Sequence, residues 1–437
     1  MAKKIIVAGG GHGGIVCAAK LAEAGFDVTV YEKNQREDMG YDWTDIFNSK
    51  SLTEAGLPMP DESKLLPMHN MSFCSPSGRV ILRNDIDEAR GTDVKMERKE
   101  IYNLIIDEAE KAGVKFVYGA EILAPVMAGD RVIGIKTADG DILGDLVIDS
   151  CGCESPLRSQ LPECCGIQAD MQKLEKFTVY RAFYNRTDSN ECMDKYKVYM
   201  LPKGVFGIAW VADDGDYSDI LIGDFEEFSK EEALERVEVF RKENPILGTK
   251  LLRGGQMVTI PVRQTLAVLV ADGYAAIGDS AFMTVPIIGS GIANSFRAAK
   301  ILADTIIADK TETYSAETLW DYEYNYQTKI GFPLAGMALV KLMLGKITPE
   351  QLDYMFESKI ITIDELSVSD EGGGLIDINA ELINKGKAMI KDKKLTGLFL
   401  SLAKSMAVLA AVNKQLPKHY SRYAVKQWAD KYNAVFK

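Results

Sequence analysis

Gly9, Gly11 and Gly14, with Gly13 between the last two, stand at G-x-G-x-x-G spacing near the start of the chain. A loop of this kind holds a diphosphate. Its first glycine allows a tight turn, its second lets backbone approach the ligand, and its third lets the next helix pack on the preceding strand. Glu32 follows eighteen residues past Gly14. A carboxylate there accepts hydrogen bonds from both ribose hydroxyls of an adenosine and repels a 2′-phosphate. It favours FAD or NAD(H) over NADP(H), and the adjoining Lys33 is a further cofactor-binding candidate.

A second set of residues lies far downstream. Asp279 ends the apolar run from Tyr274, and Pro286, Gly289 and Gly291 then lead into a helix that opens at Ile292. Asp279 is suited to a ribityl hydroxyl. The free amides near Gly291 and Ile292 are suited to the negative charge that develops on the pyrimidine side of a reduced isoalloxazine. NAD has no ribityl chain, so the two sets together select FAD.

These residues need a frame to hold them. The apolar run Lys4 to Ala8 reads as a strand buried on both faces of a parallel sheet. The pattern predicts a helix from Ile15 to Ala24, stopped at Gly25, a strand over 27–31, and a long helix from Ile292 to Ile307. Met71 to Asn84, with a turn at Pro76-Ser-Gly78, and Phe177 to Gly223 read as antiparallel strands. The fold class is therefore α/β: a Rossmann-like FAD-binding domain (1–70, 95–170 and 265–335), an inserted antiparallel β-sheet substrate domain (71–94 and 171–264), and a C-terminal helical region (336–437).

In this register the chain resembles the FAD-dependent oxidoreductases that share the p-hydroxybenzoate hydroxylase fold, and most closely the geranylgeranyl reductase family. The resemblance covers residues 1 to 335 and rests on separated motifs in the right order: the glycine loop, the helix beginning Met96-Glu-Arg98, and the stretch from Gly278 to Asn294. It implies that Asp279, Gly289, Gly291 and Ile292 contact the flavin. It also implies that Arg98 contacts FAD and that Ile122, after a strand over 114–118, meets the adenine through its backbone. The implied reaction is flavin hydride transfer to a carbon-carbon double bond of an apolar, isoprenoid-like substrate. A flavin monooxygenase acting on an aromatic compound is the alternative, and an electron-transfer flavoprotein is a third reading. No second strand-G-x-G-x-x-G-helix unit occurs, so electrons come from a visiting NAD(P)H or a reduced carrier protein.

Two places depart from the family pattern. A D-G pair is expected in the middle of the chain, but the sequence there is Asp149-Ser-Cys151-Gly152. A thiol thus replaces a carboxylate acceptor, and any hydrogen bond that carboxylate made to the cofactor or loop is lost or weakened. The family strand G-Y-x-W-x-F-P becomes Gly207-Ile-Ala-Trp210-Val-Ala-Asp, which keeps the tryptophan and loses the F-P. Trp210 and Trp43 are the substrate-side candidates. Tyr41, in Tyr41-Asp42-Trp43-Thr-Asp45, is the candidate proton donor, and a turn packed on the core is the bland reading of that segment. Cys151, Cys153, Cys164 and Cys165 read first as small buried residues, then as a redox-active thiol pair near the flavin, and last, with Cys192, as a zinc or iron-sulfur set.

Composition sets outer limits. A net charge of -12 argues against general binding to nucleic acid. Three histidines give little support to a multi-histidine metal site, and no metal is expected. Seven cysteines and a start without a signal-peptide pattern suggest a reduced, cytoplasmic protein. The segment Leu395 to Val412 is apolar but for Lys404 and is read first as a buried helix. A hydrophobic substrate tunnel or peripheral contact with a membrane surface comes second. Glu371-Gly-Gly-Gly374 reads as a hinge before it.

Overall fold

The computed structural model describes residues 3–83, 93–168, 171–187, 194–202, 205–366 and 391–437. Asn84, Cys192 and the 371–374 hinge lie outside them. A central sheet is built on β1 (Lys4–Ala8), flanked by β2 (Asp27–Glu32) and β4 (Leu146–Asp149), with β3 (Lys115–Tyr118) beyond β2. These strands and Tyr274–Ala276 are parallel, and Val270–Ala271 adds an antiparallel edge. In the middle, Ile6 pairs with both Val147 and Thr29. All five residues of β1 except Lys4 are buried, as a strand covered on both faces requires.

Helix α1 spans His12–Glu23 and so starts three residues before the predicted Ile15. Gly11 is still extended, but its carbonyl already accepts from the Ile15 N–H at 3.0 Å, so the first turn is wound from the glycines themselves. α2 spans Arg98–Ala112 and ends at the left-handed Gly113. α3 spans Ile292–Ala308, one residue longer than predicted.

A seven-stranded sheet stands beside this unit. In spatial order it runs Leu247–Pro261, Lys176–Arg186, Tyr217–Asp224, Gly207–Asp213, Tyr196–Met200, Met71–Cys74 and Ile81–Arg83. All neighbours are antiparallel except Tyr196–Met200 with Met71–Cys74. The expected turn at Pro76-Ser-Gly78 is present, with Gly78 at φ +71°. Leu247–Pro261 was not anticipated. Its register slips opposite Ala182 and again toward Arg186, and Gly254 and Gly255 both have positive φ, so the alternation that marks a strand is broken.

Thr44–Asn48 is also a strand, paired antiparallel with Asp93–Glu97, so the end of the Tyr41–Asp45 segment, Thr44 and Asp45, is regular structure. At the other end of the chain, Trp320–Tyr326 runs through a wide turn, Gln327–Gly331, into the helix Phe332–Leu344. The 21-residue helix Lys393–Asn413 has mean hydropathy 1.8 over its most apolar stretch, yet only 28% of that stretch is buried. Leu395, Phe399, Leu402, Leu409 and Val412 face inward, whereas Leu400 is 67% exposed. The expectation of a buried helix therefore holds for one face only, because a helix docked at the surface buries a stripe and not its circumference. The core is continuous from Ile5 through to Tyr432 of the last helix.

Candidate functional site

The carboxyl ends of the parallel strands bring most of the sequence-predicted residues together, as expected for a ligand crevice in an open α/β sheet. The glycine loop leaves β1 and enters α1, whose start has no side-chain cap and no acid in its first turn. The start of α3 at Gly291 has the same two properties. The two starts touch: a side chain on Gly13 would place its Cβ 3.1 Å from the carbonyl oxygen of Ser295 and 3.0 Å from Ile277. Two helix ends with free N–H groups and positive dipole ends thus open side by side.

Glycine at position 11 has a further cause. Its Cβ would lie 2.3 Å from the Ser150 hydroxyl, so close packing against the loop after β4 requires glycine there, beyond any need of a ligand. Glu32 is buried and accepts from the Gly10 N–H at 2.7 Å and from Asn34 through both backbone and side chain. It braces the glycine loop while its carboxylate keeps further lone pairs. Lys33 beside it is exposed. The Ala120 N–H donates to the Glu32 carbonyl at 2.9 Å, which holds the segment carrying the buried Ile122 against the end of β2.

Asp279 sits in the turn Gly278–Ala281, and its carboxylate has no hydrogen-bond partner among the described residues. Burial raises its pKa, partly offset by the charge of Arg98. The Asn294 side chain donates to the Met283 carbonyl at 3.3 Å and fixes the loop between Asp279 and α3.

Arg98, the first residue of α2, donates from Nε and from one terminal nitrogen to the two oxygens of Asp45, each at 2.6 Å. Burial pushes the Asp45 carboxyl up, but the Arg98 pair outweighs it and leaves the group below its ordinary value. The guanidinium lies 5.1 Å from the Tyr41 ring and 5.6 Å from the Trp43 ring. The Arg98 N–H donates to the Trp43 carbonyl, so the aromatic segment is tied to the helix start. Gly40, at φ +82°, is needed here, since a Cβ would come within 2.9 Å of Tyr102.

His12 was seen in the sequence only as part of the glycine loop. In the structure it packs on Tyr102 with centroids 4.4 Å apart and the rings tilted by 33°, and it meets Phe296 of α3 edge-on. Its Nε2 is buried without a partner. Burial first and Arg98 second lower its pKa to about 3, so the ring is neutral. Tyr102, four residues after Arg98, lies on the same face of α2, and that spacing was the one signal in the sequence for a ring on this side of the helix.

The substrate-side residues form a second layer. Trp43 is buried, and the Arg181 guanidinium lies 5.7 Å from its ring and 5.3 Å from that of Trp210. Arg181 is held by Asp219 and by the Thr44 carbonyl. Both indole N–H groups are buried without a hydrogen-bond partner. Tyr41, 41% exposed, stands at the rim, and burial raises its pKa, so it stays protonated at neutral pH.

Two residues before Cys151, Asp149 is the main acceptor of this loop. It is fully buried and accepts from the Cys151 N–H, Ser155, Tyr274 and Ser280, tying β4 to the turn of Asp279. The Cys151 thiol donates to the Ala8 carbonyl at 3.2 Å. Burial, and then Asp149, raise its pKa well above the ordinary value, and the Cys153 thiol is pushed up to about 12 by burial and Asp279. No group of three or more metal-ligating side chains converges among the described residues.

Comparison with known proteins agrees with this picture. Residues 7–46 match the family described as an NAD(P)-binding Rossmann-like domain. A digeranylgeranylglycerophospholipid reductase of Haloferax volcanii is 23% identical over 84% of this chain and 92% of its own length. One of Sulfolobus acidocaldarius is 20% identical over 96% and 93%. A geranylgeranyl bacteriochlorophyll reductase-like protein of Thermoplasma acidophilum superimposes with a TM-score of 0.73 at 19% identity, covering 92% of this chain and 99% of that one. The p-nitrophenol 4-monooxygenase of Pseudomonas putida superimposes with a TM-score of 0.62 at 18% identity, covering 90% and 98%. The chain shares the α/β fold of these enzymes, and its resemblance to the geranylgeranyl reductases is borne out along nearly its whole length.

Proposed function

We propose that the protein is an FAD-dependent oxidoreductase that reduces a carbon-carbon double bond of an apolar, isoprenoid-type substrate. One observation carries this reading: two uncapped helix starts, α1 and α3, meet at the carboxyl ends of the parallel strands, beside the unpartnered Asp279. That arrangement suits an elongated dinucleotide with a diphosphate at one helix and a ring system at the other. Full-length similarity to named reductases supports the choice of reaction.

In this reading Gly9, Gly11, Gly13 and Gly14 receive the diphosphate. Glu32, Lys33 and the Ile122 backbone take the adenosine end. Asp279 takes a ribityl hydroxyl, and Gly289, Gly291 and Ile292 face the pyrimidine edge of the ring. Arg98 borders the crevice and sets its charge. The flavin, when bound, supplies the hydride. The chain's part is to orient the alkene beneath the Trp43, Arg181 and Trp210 layer, to exclude water, and to hold a proton on the Tyr41 hydroxyl for the carbon that does not receive hydride. Reducing equivalents come from NAD(P)H or a reduced carrier, and the protein works in the cytoplasm at a membrane surface.

The test is to reduce the flavin-loaded protein without oxygen and supply a geranylgeranyl alkene. Saturated product formed with one flavin reoxidised per double bond supports the reading. A hydroxylated aromatic product that needs air would replace it with a monooxygenase, and electrons passed only to a protein partner would replace it with an electron-transfer role.

A further inference from the structure

The last 45 residues differ in charge from the rest of the molecule. Residues 393–437 hold eight lysines, Arg422 and a single acid, Asp430, a net +8 in a chain of net -12, so the remainder carries -20. All nine cationic side chains are exposed. They flank the one helix among the described residues that is long and apolar enough to cross a membrane, Lys393–Asn413.

That helix turns an ordered stripe to solvent. Leu400, Lys404, Val408 and Ala411 are exposed on the side opposite the buried Leu402 and Leu409, with Lys393 and Lys414 at the two ends. At 1.5 Å per residue the stripe is roughly 30 Å long. Apolar residues thus alternate with lysines along one face while the other face stays docked on Phe332–Leu344. Nothing in the crevice chemistry described above uses this surface.

We propose that this stripe docks the protein flat on an anionic lipid surface. Leu400 and Val408 enter the boundary between headgroups and acyl chains, while the lysines meet lipid phosphates. The composition favours lipid over a protein partner. Protein interfaces are depleted in lysine and enriched in aromatics and arginine, whereas on this stripe every cation is a lysine and the exposed apolar residues Leu400, Val408 and Ala411 are aliphatic. Docking by one face also explains why a helix of this hydropathy is laid along the molecular surface, where it does not cross the bilayer. The proposal deepens the reading of an apolar substrate, because it brings the protein to the phase where such molecules reside, but its test does not depend on catalysis.

The full chain is floated with vesicles of phosphatidylcholine alone and of phosphatidylcholine mixed with phosphatidylglycerol. Binding to the mixed vesicles that is released by high salt, with little binding to the neutral ones, is the expected result. Lys404→Ala with Lys414→Ala lowers the affinity by roughly 25-fold, about fivefold per lysine removed. Leu400→Ser with Val408→Ser also weakens it, and unchanged circular dichroism and flavin content show that these variants fold. No flotation, equal flotation with both vesicle types, or indifference to both pairs of substitutions overturns the proposal. So does a wild-type dimer in sedimentation that Leu400→Ser dissociates, since a second copy would then cover the stripe. Flotation without alkene reduction would sink the redox reading and leave this one standing.

Discussion

Arg98 and Asp45 meet through two parallel hydrogen bonds of 2.6 Å, although 53 residues separate them in sequence. The pair fixes the start of α2 against the strand Thr44–Asn48 and sets the charge near Asp279 and His12. Arg98→Ala leaves a mostly buried carboxylate unpaired and costs about 3 kcal/mol of stability at pH 7, whereas Arg98→Lys, which keeps the charge but loses the fork, costs about 1 kcal/mol. The Asp45 carboxyl lies below its ordinary 3.8, so its contribution is present above that pH and is lost as pH falls through the folded value. Urea unfolding at pH 7 and pH 3 checks both statements. Equal midpoints for wild type and Arg98→Ala at pH 7 would contradict them.

The His12 ring has a folded pKa of about 3 against an ordinary 6.5. The unfolded chain therefore binds more protons between those values, and stability falls as pH drops below 6.5. From pH 7.5 to pH 5 the loss from this group is about 2 kcal/mol. His12→Phe keeps a ring packed on Tyr102 and removes the titration. Its stability should change less over that range, as read by urea midpoints, and a slope identical to wild type would rule out the assignment.

Glu323 behaves in the opposite sense. It is fully buried, and burial raises its pKa to about 8 while the Leu269 N–H and Gln327 donate to it. The folded state holds a proton that the unfolded state gives up from 4.5 onward, so its stabilisation is present at low pH and lost as pH rises through 8. Glu323→Gln mimics the protonated acid. Relative to the variant, the wild type loses about 3 kcal/mol between pH 5 and pH 8, within reach of thermal or urea melts.

The thiols offer a chemical test. Cys17, Cys74, Cys151 and Cys153 all have raised pKa values, with burial the largest cause, and only Cys164 among the described cysteines is exposed. A short pulse of iodoacetamide at pH 8, followed by peptide mass spectrometry, should modify Cys164 well before these four. Rapid labelling of Cys153 would instead revive a redox thiol beside Asp279.

How much of this was legible in the sequence depends on how local each signal is. The glycine loop, β2 with Glu32, and the start of α3 were readable because turn geometry, strand period and helix start are written within a few residues. The Arg98–Asp45 pair and the His12–Tyr102 ring contact join distant segments, and only the folded sheet brings them together. Asp149 carries no local motif, and two of its donors, Tyr274 and Ser280, come from more than a hundred residues away. Leu247–Pro261 was lost to its glycines and shifted register. The Lys393–Asn413 helix is apolar around most of its circumference, so composition could not say which stripe would face the core.

The touching starts of α1 and α3 have a consequence for the life of the protein in the cell. Two positive helix ends held side by side repel each other until an anion sits across them, and the unfolded chain offers no such pair. Resistance to unfolding and to proteases then rises with the logarithm of free cofactor over its dissociation constant, about 2.7 kcal/mol at a hundredfold excess. Cofactor supply would set how long each newly made chain survives.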